Sequence, residues 1–414
     1  MNKKTLVILG LGTLVLATGL ALFGQDQEDK SLLLNIGDKR FKNKTLDVVP
    51  GQVYSAETGQ PVTFARMIQT LAACRFVYVG ESHNSLPMHD IQFSVIQALY
   101  EKDRDVAIGL EMFPATFQEP LTKWSLGLLT DEEFLDVGQW YIHWNFNFGY
   151  YQKTFDLAKE KKIPIYGLNV PREIITKIRM GNRDLLSPEQ KKLVPPLDLS
   201  NQEHRRLIRT VFESSELPPQ MKGAGLDMVF EGLYRSQVTW DEVMAANARK
   251  AAEVENKRMV VLAGSGHVLY NLGINLRVQE KNRQPFKTIV CVAVPSDKKS
   301  LRVSRSLADF IWAIPEEKRP AFPDVGLALK KVAGLENPVV DRKPIDGAAL
   351  AADFDKGDII LTVDGKPYSD INVLRIYLSK FDWDQEVKFH ILRAGQEKDV
   401  TLKLIQPPAA EPAK

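Results

Sequence analysis

The sequence predicts an α/β protein in which a largely parallel sheet is flanked by helices, followed by a small α+β domain. Over residues 31–300, short apolar runs of strand type alternate with longer segments of helical periodicity, which favours parallel strands joined by crossover helices. Two of these runs end in the same motif, Gly-Xaa-Xaa-His. After the proline-containing stretch 315–323, the pattern changes to short strands with Gly-containing turns, which indicates a second domain.

The first residues have the layout of an export signal. Lys3 and Lys4 precede an uncharged, mainly apolar segment at residues 5–23, and a charged stretch follows. A basic start, an apolar middle and a polar exit are typical of exported proteins, and the apolar segment is also long enough to span a bilayer. We therefore expect residues 1–30 to be a cleaved signal or an inner-membrane anchor, and the remainder to be periplasmic or secreted.

The composition argues against several classes of protein. Lys and Arg number 54 against 52 Asp and Glu, and no dense basic run occurs, so a nucleic-acid-binding protein is not expected. The two cysteines, Cys74 and Cys291, form no Cys-Xaa-Xaa-Cys motif, which argues against thiolate zinc sites and thiol redox chemistry. Buried free thiols and a disulfide between the two both stay open.

The apolar run 76–79 is the first strand whose end carries chemically informative residues. It ends at Gly80, and the following polar turn carries three ionisable residues, Glu81, His83 and His89, where helical periodicity begins near Met88. Sites in α/β proteins lie at the carboxyl ends of strands. The helix N-terminus that follows favours a neutral imidazole, which is the form that acts as a ligand. This strand end is therefore a candidate site.

Polar residues follow two later strands in the same way. The run 259–263 leads through a glycine to His267, and the run 105–110 leads to Glu111. A carboxylate in so apolar a setting needs a cation, a metal or hydrogen-bond donors. Because the carboxyl ends of parallel strands meet at one edge of a sheet, we expect His83, Glu111 and His267 to converge.

Three further segments carry candidate residues of the first domain. A strand ends at Asn169, and Arg172 beyond it could hold a carboxylate. A long helical segment places Gln237 and Asp241 on one face. The aromatic segment 140–151 has Asn and Gly between its rings. These residues either belong to the core or form an irregular loop that lines a pocket for a flat ligand.

The rest of the chain is expected to be modular. We expect a linker at 301–321, because proline-containing residues separate two sequence patterns there. A small domain of four or five strands with one or two helices is expected at 322–406. The Pro/Ala-rich tail at 407–414 has the composition of a disordered segment.

These motifs together resemble the ChaN-like family of the haem-binding-uptake and Tiki superfamily, from about residue 60 to residue 295. Besides the Gly-Xaa-Xaa-His motifs and Glu111, the resemblance rests on Leu-Asn-Val-Pro-Arg-Glu at 168–173 and on Gln237 with Trp240-Asp241-Xaa-Xaa-Met244-Ala245. The C-terminal segment is similar to a PDZ domain, through Lys-Gly-Asp-Ile-Ile-Leu at 356–361. Its peptide-carboxylate loop would lie at Val325, Gly326 and Leu327.

The resemblance implies an exported protein that binds haem or iron and takes part in haem or iron uptake. In this family a tyrosine ligates the iron with a histidine nearby; here the aromatic loop would stack on the porphyrin and an arginine would meet the propionates. The residues that would fill these roles are His83, Tyr150, Tyr151, Arg172, Arg235, His267 and Tyr270. The PDZ domain implies a protein or peptide partner, and a homodimer is one option.

A metal-dependent hydrolase is the alternative, and the Tiki and erythromycin-esterase relatives point the same way. Two imidazoles and a carboxylate around one point make a three-ligand site for a divalent metal such as Mn, Co or Zn, with room for water or substrate. The ligands would be His83, Glu111 and His267, with Glu81 as a general base. The residues expected to support either site are Gly80, Gly264, Asn169, Gln237 and Asp241. A third hypothesis is an exported, membrane-anchored scaffold that works through its PDZ domain.

Overall fold

The computed structural model describes residues 30–181, 183–214 and 225–406. The signal or anchor expected at 1–30 falls outside these residues except for its last position, and the tail expected at 407–414 falls outside them entirely. None of the described helices is long and apolar enough to cross a membrane.

The chain forms two units. The first comprises the described residues up to Leu126 together with Lys153–Glu316, and the second comprises Gly127–Gln152 together with the described residues from Glu317 onward. The first unit therefore differs from the expected first domain, 31–300. Residues Gly127–Gln152, which include the aromatic segment 140–151, belong to the second unit instead.

The described residues form fifteen strands and thirteen α-helices. The strands are β1 (Thr45–Val48), β2 (Val53–Ser55), β3 (Pro61–Val62), β4 (Phe76–Glu81), β5 (Val106–Pro114), β6 (Ile165–Asn169), β7 (Arg258–Gly264), β8 (Phe286–Val294), β9 (Leu301–Ser304), β10 (Phe310–Pro315), β11 (Leu329–Lys330), β12 (Val339–Val340), β13 (Ile359–Val363), β14 (Glu386–Arg393) and β15 (Gln396–Lys403). The α-helices are α1 (Phe64–Leu71), α2 (Leu86–Asp103), α3 (Gln118–Ser125), α4 (Asp131–Val137), α5 (Trp140–His143), α6 (Gln152–Lys161), α7 (Arg172–Arg179), α8 (Pro188–Lys192), α9 (Gln202–Ser214), α10 (Leu226–Glu255), α11 (Ile274–Asn282), α12 (Gly347–Ala351) and α13 (Ile371–Leu378).

The first unit is built on an eight-stranded sheet in the order β3-β2-β10-β8-β4-β7-β5-β6. The strands from β10 to β6 run parallel, and β2 and β3 add an antiparallel edge. Strands β4, β5 and β7 are buried along their whole length, as expected of parallel strands covered by helices on both faces. The predicted α/β class with a largely parallel sheet is confirmed.

The register of this sheet determines where the functional strand ends lie. Strand β4 pairs with β7 so that Glu81 is opposite Gly264, and β5 pairs with the other side of β7. The ladder between β5 and β6 shifts register after Leu110, so Glu111 lies in an irregular stretch of the kind that re-aims side chains. The Asn169 side-chain amide supports this stretch by donating a hydrogen bond of 2.9 Å to the Glu111 carbonyl.

The 30-residue helix α10 packs against β5, β6 and β7 as well as α7 and α11. Phe230, Tyr234 and Val238 on its buried side belong to the main core. Gln237 and Asp241 are also buried on this helix, so the two polar residues that helical periodicity placed on one face both point away from solvent.

Residues 301–315 correct the expected linker at 301–321. Strand β9 pairs with β1, and β10 pairs with β8 and β2 in the main sheet, so both strands belong to the first unit. The nearly continuous apolar run 310–314 is that of a buried strand. Periodicity alone does not reveal this, because short apolar runs fit a helix and a strand equally well.

The C-terminal part of the second unit is a five-stranded antiparallel sheet in the order β11-β12-β13-β14-β15, accompanied by α12 and α13. Leu327, Ile360, Leu374 and Phe389 lie in its core. The Asp-Gly turn after β13 has positive φ at both residues, 48° and 75°, a conformation that these two residue types tolerate best. The predicted small α+β domain is confirmed.

The segment Gly127–Gln152, which includes the aromatic residues 140–151, contains the helices α4 and α5 and a short 3-10 turn. The Trp140 ring centroid lies 5.0 Å from that of Phe148 and 5.3 Å from that of Tyr151, and all three side chains are buried. These rings therefore pack mainly on one another, as the core interpretation of the segment expects.

Cys74 and Cys291 are buried free thiols. Of the two states that the sequence left open, a disulfide and free thiols, the structure therefore has free thiols. Burial raises the pKa of Cys74 and raises that of Cys291 to about 12. Both are therefore protonated at neutral pH and are poor nucleophiles.

Candidate functional site

The candidate site lies where β4, β5 and β7 end and consists of two groups of side chains. In the first group Glu81, the last residue of β4, contacts two histidines. Its carboxylate oxygens lie 2.8 Å from Nδ1 of His83 and 3.0 Å from Nδ1 of His89. Burial alone would raise the pKa of Glu81, but the two imidazoles outweigh burial and lower it. Glu81 is therefore a buried carboxylate at neutral pH, and its charge raises the pKa of His89 against the opposite effect of burial.

His89 is the third ionisable residue that the sequence groups with Glu81 and His83 at this strand end. It is the fourth residue of α2, and its Nε2 lies 3.3 Å from the His83 carbonyl. Met88, Ile91 and Gln92 are buried on the same helix, and Oε1 of Gln92 lies 3.1 Å from Nδ1 of His89.

Glu111 and His267 form the second group. Oε1 of Glu111 lies 3.2 Å from Nε2 of His267, and the Gly264 backbone N–H donates a 2.7 Å hydrogen bond to Oε2. Burial would raise the pKa of Glu111, but His267 outweighs this effect and lowers it. The carboxylate that needed a partner in its apolar setting therefore has an imidazole and a backbone N–H.

His267 is held on its other side by helix α10. Its Nδ1 lies 2.6 Å from Oδ1 of Asp241 and 2.9 Å from Nε2 of Gln237. Burial would lower the pKa of His267, but Glu111 and Asp241 outweigh it and raise the pKa to about 10. His267 is therefore an imidazolium between two carboxylates at neutral pH.

Asp241 has two further neighbours from distant parts of the chain. Nε2 of His204 on α9 lies 3.2 Å from Oδ2 of Asp241, and Nη1 of Arg277 on α11 lies 3.7 Å from the same oxygen. Burial would raise the pKa of Asp241, but His204 and His267 lower it to about 2. No sequence motif marks His204 or Arg277, because their proximity arises only from the packing of α9 and α11 against α10.

The glycines of the two motifs are required by close approach. A Cβ at Gly264 would lie 2.8 Å from Cε1 of His83 and 3.6 Å from Oε2 of Glu111. A Cβ at Gly80 would lie 2.9 Å from Oγ of Ser265 and 3.2 Å from its Cα. The two carboxylate–imidazole groups therefore meet at Gly264, and the structure brings Glu81, His83, Glu111 and His267 into one cluster.

The other candidates lie elsewhere or have a structural contact. The Tyr270 hydroxyl donates a 2.7 Å hydrogen bond to the Ser31 carbonyl and accepts one of 2.9 Å from the Leu34 N–H. The Arg235 guanidinium donates to the Arg179 carbonyl at the end of α7, and Arg172 is the first residue of α7. Tyr150 and Tyr151 belong to the second unit.

The described residues contain no group of three or more His, Cys, Asp or Glu side chains arranged to hold a metal ion. The distances above give the reason: the carboxylate oxygens face imidazole nitrogens and a backbone N–H rather than one common point. The expected Mn, Co or Zn site on His83, Glu111 and His267 is therefore not supported, although these residues do lie together.

Residues 67–278, just over half of the chain, match the family model described as haem-binding uptake, Tiki superfamily, ChaN. The chain belongs to the ChaN family. All the cluster residues, from Glu81 to Arg277, lie inside this match. A second model matches residues 323–404, so this ChaN-family protein also carries a C-terminal PDZ domain.

Three solved structures are similar to parts of this chain. A ChaN structure from Campylobacter jejuni, described with cofacial haem, is 18% identical, covers 65% of this chain and 96% of its own, and has a TM-score of 0.49. The erythromycin esterase EreC is 13% identical with a TM-score of 0.35, covering 59% of this chain and 78% of its own. The HtrA-type protease AlgW is 23% identical with a TM-score of 0.20, over 29% of this chain and 41% of its own.

The curated protein is RETICULATA-RELATED 5, chloroplastic, from Arabidopsis thaliana, which is 23% identical over 298 residues. The alignment covers 64% of this chain and 38% of the Arabidopsis protein. The chain therefore spans well under half the length of this relative.

Proposed function

We propose that this ChaN-family protein binds haem at the edge of the sheet where β4, β5 and β7 end, with His83 as the iron ligand. The Glu81–His83 hydrogen bond carries the proposal. Glu81 accepts from Nδ1 at 2.8 Å, which fixes the tautomer with Nε2 as the ring nitrogen that ligates. The His83 side chain is 15% exposed, against 10% for His267 and 9% for Glu111.

The chemistry of the donors present fits an iron-bound histidine better than a tyrosinate. An imidazole whose other nitrogen binds a carboxylate is a more basic ligand, and His83 has this arrangement. Burial raises the pKa of Tyr150 to about 12, which disfavours a phenolate at neutral pH. The Tyr151 hydroxyl accepts a hydrogen bond from the Trp144 indole, and the Tyr270 hydroxyl is bonded to backbone groups.

The polar residues around His83 would position the ligand. The absence of a Cβ at Gly264 leaves the room that the His83 ring occupies. Arg172, which opens α7 three residues after the end of β6, is the proposed partner for a propionate. Bound haem would supply an iron centre and a flat apolar surface, and the protein would supply the His83 imidazole as a ligand and the Arg172 charge for a propionate.

The cellular role that we propose is exported haem or iron handling, with the PDZ domain making contacts to another protein. The basic and apolar layout of residues 1–30 supports export. Fusing alkaline phosphatase after residue 30 tests this part alone, since the enzyme is active only outside the cytoplasm. An inactive fusion that is produced in full would reject export and leave haem binding to be judged separately.

Haemin titration of the full chain in detergent tests the site. We expect a Soret band shift with the wild-type chain, loss of that shift in His83→Ala, and an unchanged shift in the matched control His390→Ala, whose histidine lies on β14 of the PDZ sheet. A His83→Ala chain that retains the wild-type band and affinity would exclude His83 as the ligand.

Hydrolysis without a metal is a second candidate, favoured by the two adjoining carboxylate–imidazole groups. A protonated His267 beside a Glu81–His83 pair provides both an acid and a base, the combination used in general acid–base catalysis. Chromogenic ester hydrolysis in the presence of EDTA, abolished by His267→Gln, would favour this candidate. Equal rates of ester hydrolysis for the wild type and His267→Gln would reject this candidate.

A further inference from the structure

The PDZ helix α13 is held by a segment from outside the PDZ match. Gly127–Gln152 contributes α4 and α5, which pack on α13 within the second unit. The Asn372 side chain donates a 3.0 Å hydrogen bond to the Leu135 carbonyl and accepts one of 3.2 Å from the Tyr141 N–H. Asn372 is buried, so this is an ordered contact rather than a surface encounter.

Two further contacts extend the same interface. The Arg375 guanidinium donates to Oδ1 of Asn145 at 2.9 Å and also to the Tyr141 carbonyl. The Asn147 amide donates to the Ser379 carbonyl at 3.2 Å. Positions 372, 375 and 379 are three and four apart and therefore lie along one side of the helix. The segment thus binds α13 over its whole length.

Both sides of α13 are consequently covered. Leu374 and Leu378 pack into the PDZ core, while Ile371 and Ile376 are buried without belonging to that core. Among the residues of α13 only Val373 is classed as exposed, at 41%. A partner that needs the side of α13 formed by Asn372, Arg375 and Ser379 finds it already occupied.

The segment also contacts the chain beside the expected peptide loop. The Tyr150 and Phe322 rings meet edge to face at 4.8 Å, and a Cβ at Gly149 would lie 2.4 Å from Cζ of Phe322. Phe322 lies three residues before Val325, the first residue of this loop. Strand β11, which follows this loop, is an edge of the sheet, and PDZ domains add a peptide strand at such an edge.

We propose that Gly127–Gln152 is an internal partner of the PDZ domain and that a peptide with a free carboxyl terminus competes with it. The apparent affinity for such a peptide is then reduced by the fraction of molecules in which the segment is docked. The segment lies within the ChaN match, 67–278, and runs into α6 of that match. It therefore gives the ChaN sequence a direct part in PDZ recognition, and this inference does not depend on haem binding.

Peptide binding to the full chain tests the competition. The probe is a fluorescein-labelled decapeptide with an apolar last residue and a free carboxylate, and the same peptide with an amidated end is its control. The double variant Asn145→Ala/Asn147→Ala removes segment contacts to Arg375 and Ser379 but changes no PDZ residue. We expect it to bind the free-carboxylate peptide about tenfold more tightly than the wild type.

Glu132→Gln is the matched control within the segment. Glu132 forms an exposed ion pair with Lys380, and exposed pairs contribute little, so its peptide affinity should equal that of the wild type. Gly149→Ala is a second release variant, because its methyl group would collide with Phe322. Hydrogen exchange of residues 127–152 reports whether the segment has been released in each chain.

Hydrogen exchange also tests whether the peptide displaces the segment in the wild type. Saturating peptide should increase exchange across residues 127–152. The proposal is overturned if the peptide binds while exchange in the segment stays constant, if a chain with a released segment gains no affinity, or if neither the wild type nor the release variants bind the peptide.

Discussion

The two Gly-Xaa-Xaa-His motifs share a sequence pattern and lie at adjacent strand ends, but their histidines have different surroundings. His83 lies at the more exposed position and shares the Glu81 carboxylate with His89. His267 lies between two carboxylates and has its pKa raised to about 10, because these outweigh burial. The motif therefore determines where a histidine leaves the sheet but not which carboxylates contact it.

The difference arises from what packs beyond each strand. After β4 the chain turns directly into α2, which returns His89 to Glu81. After β7 a 3-10 turn carries His267 to Asp241 on α10. Asp241 on α10 gives His267 a second carboxylate at 2.6 Å, whereas Glu111, whose pKa His83 also lowers, has its close contact with His267. We therefore infer that His267 mainly stabilises the fold and that His83 mainly serves a ligand.

Replacing His267 should give the largest change in stability. His267→Ala leaves Glu111 and Asp241 buried without the cation between them, and removing one partner of a buried ion pair costs about 3–5 kcal/mol. Urea denaturation of the purified chain measures this loss. His390→Ala, on the PDZ sheet, should leave the unfolding of the first unit unchanged. A His267→Ala chain as stable as the wild type would contradict the structural role.

The pH dependence of stability should identify the same residue. Because the folded-state pKa of His267 is about 10, above its ordinary value of 6.5, its stabilisation is fully present below pH 6.5 and is lost as the pH rises through 10. Stability should fall between these values by up to about 1.4 kcal/mol per pH unit. Denaturation midpoints from pH 7 to 10.5 should show a steeper decline in the wild type than in His267→Gln. Parallel curves would show that His267 does not titrate in this range.

Substitution of the motif glycines should have an intermediate effect. A Cβ at either glycine lies within 2.9 Å of a neighbouring atom, and overpacking of this kind costs about 1–3 kcal/mol. Only Gly264→Ala presses on the His83 ring, whereas Gly80→Ala presses on Ser265. Haemin titration beside urea denaturation should therefore show weakened haem binding for Gly264→Ala alone. Equal haem defects in both variants would break the proposed distinction between the motifs.

The sequence predicts the parallel sheet and the meeting of its polar strand ends because these follow from local apolar runs and from the geometry of parallel strands. Glu81, His83, Glu111 and His267 are found in this way. His204 and Arg277 are not found, since they reach Asp241 only through the packing of α9 and α11. Their approach is a tertiary effect with no local signal.

Two other differences have separate physical causes. Strand β10 is missed because a short apolar run has no period that separates a strand from a helix. The aromatic segment is placed in the wrong unit because its rings satisfy one another, while its partners, such as Asn372, lie more than 200 residues away in sequence. Hydrophobic patterning reports that a segment is buried, but not which core it joins.

The smallest stability change is expected at His83, where the effect on ligand binding should be greatest. His83→Asn removes a partly exposed ring but leaves His89 beside Glu81, so the carboxylate keeps one imidazole and the loss should be about 1 kcal/mol, as for a single hydrogen bond. The same variant should lose the haemin-induced Soret shift. His267→Gln should show the reverse: a large loss of stability, but a retained Soret shift at urea concentrations below its denaturation midpoint. If His83→Asn instead unfolds as readily as His267→Gln, both histidines hold the fold together and the division of roles fails.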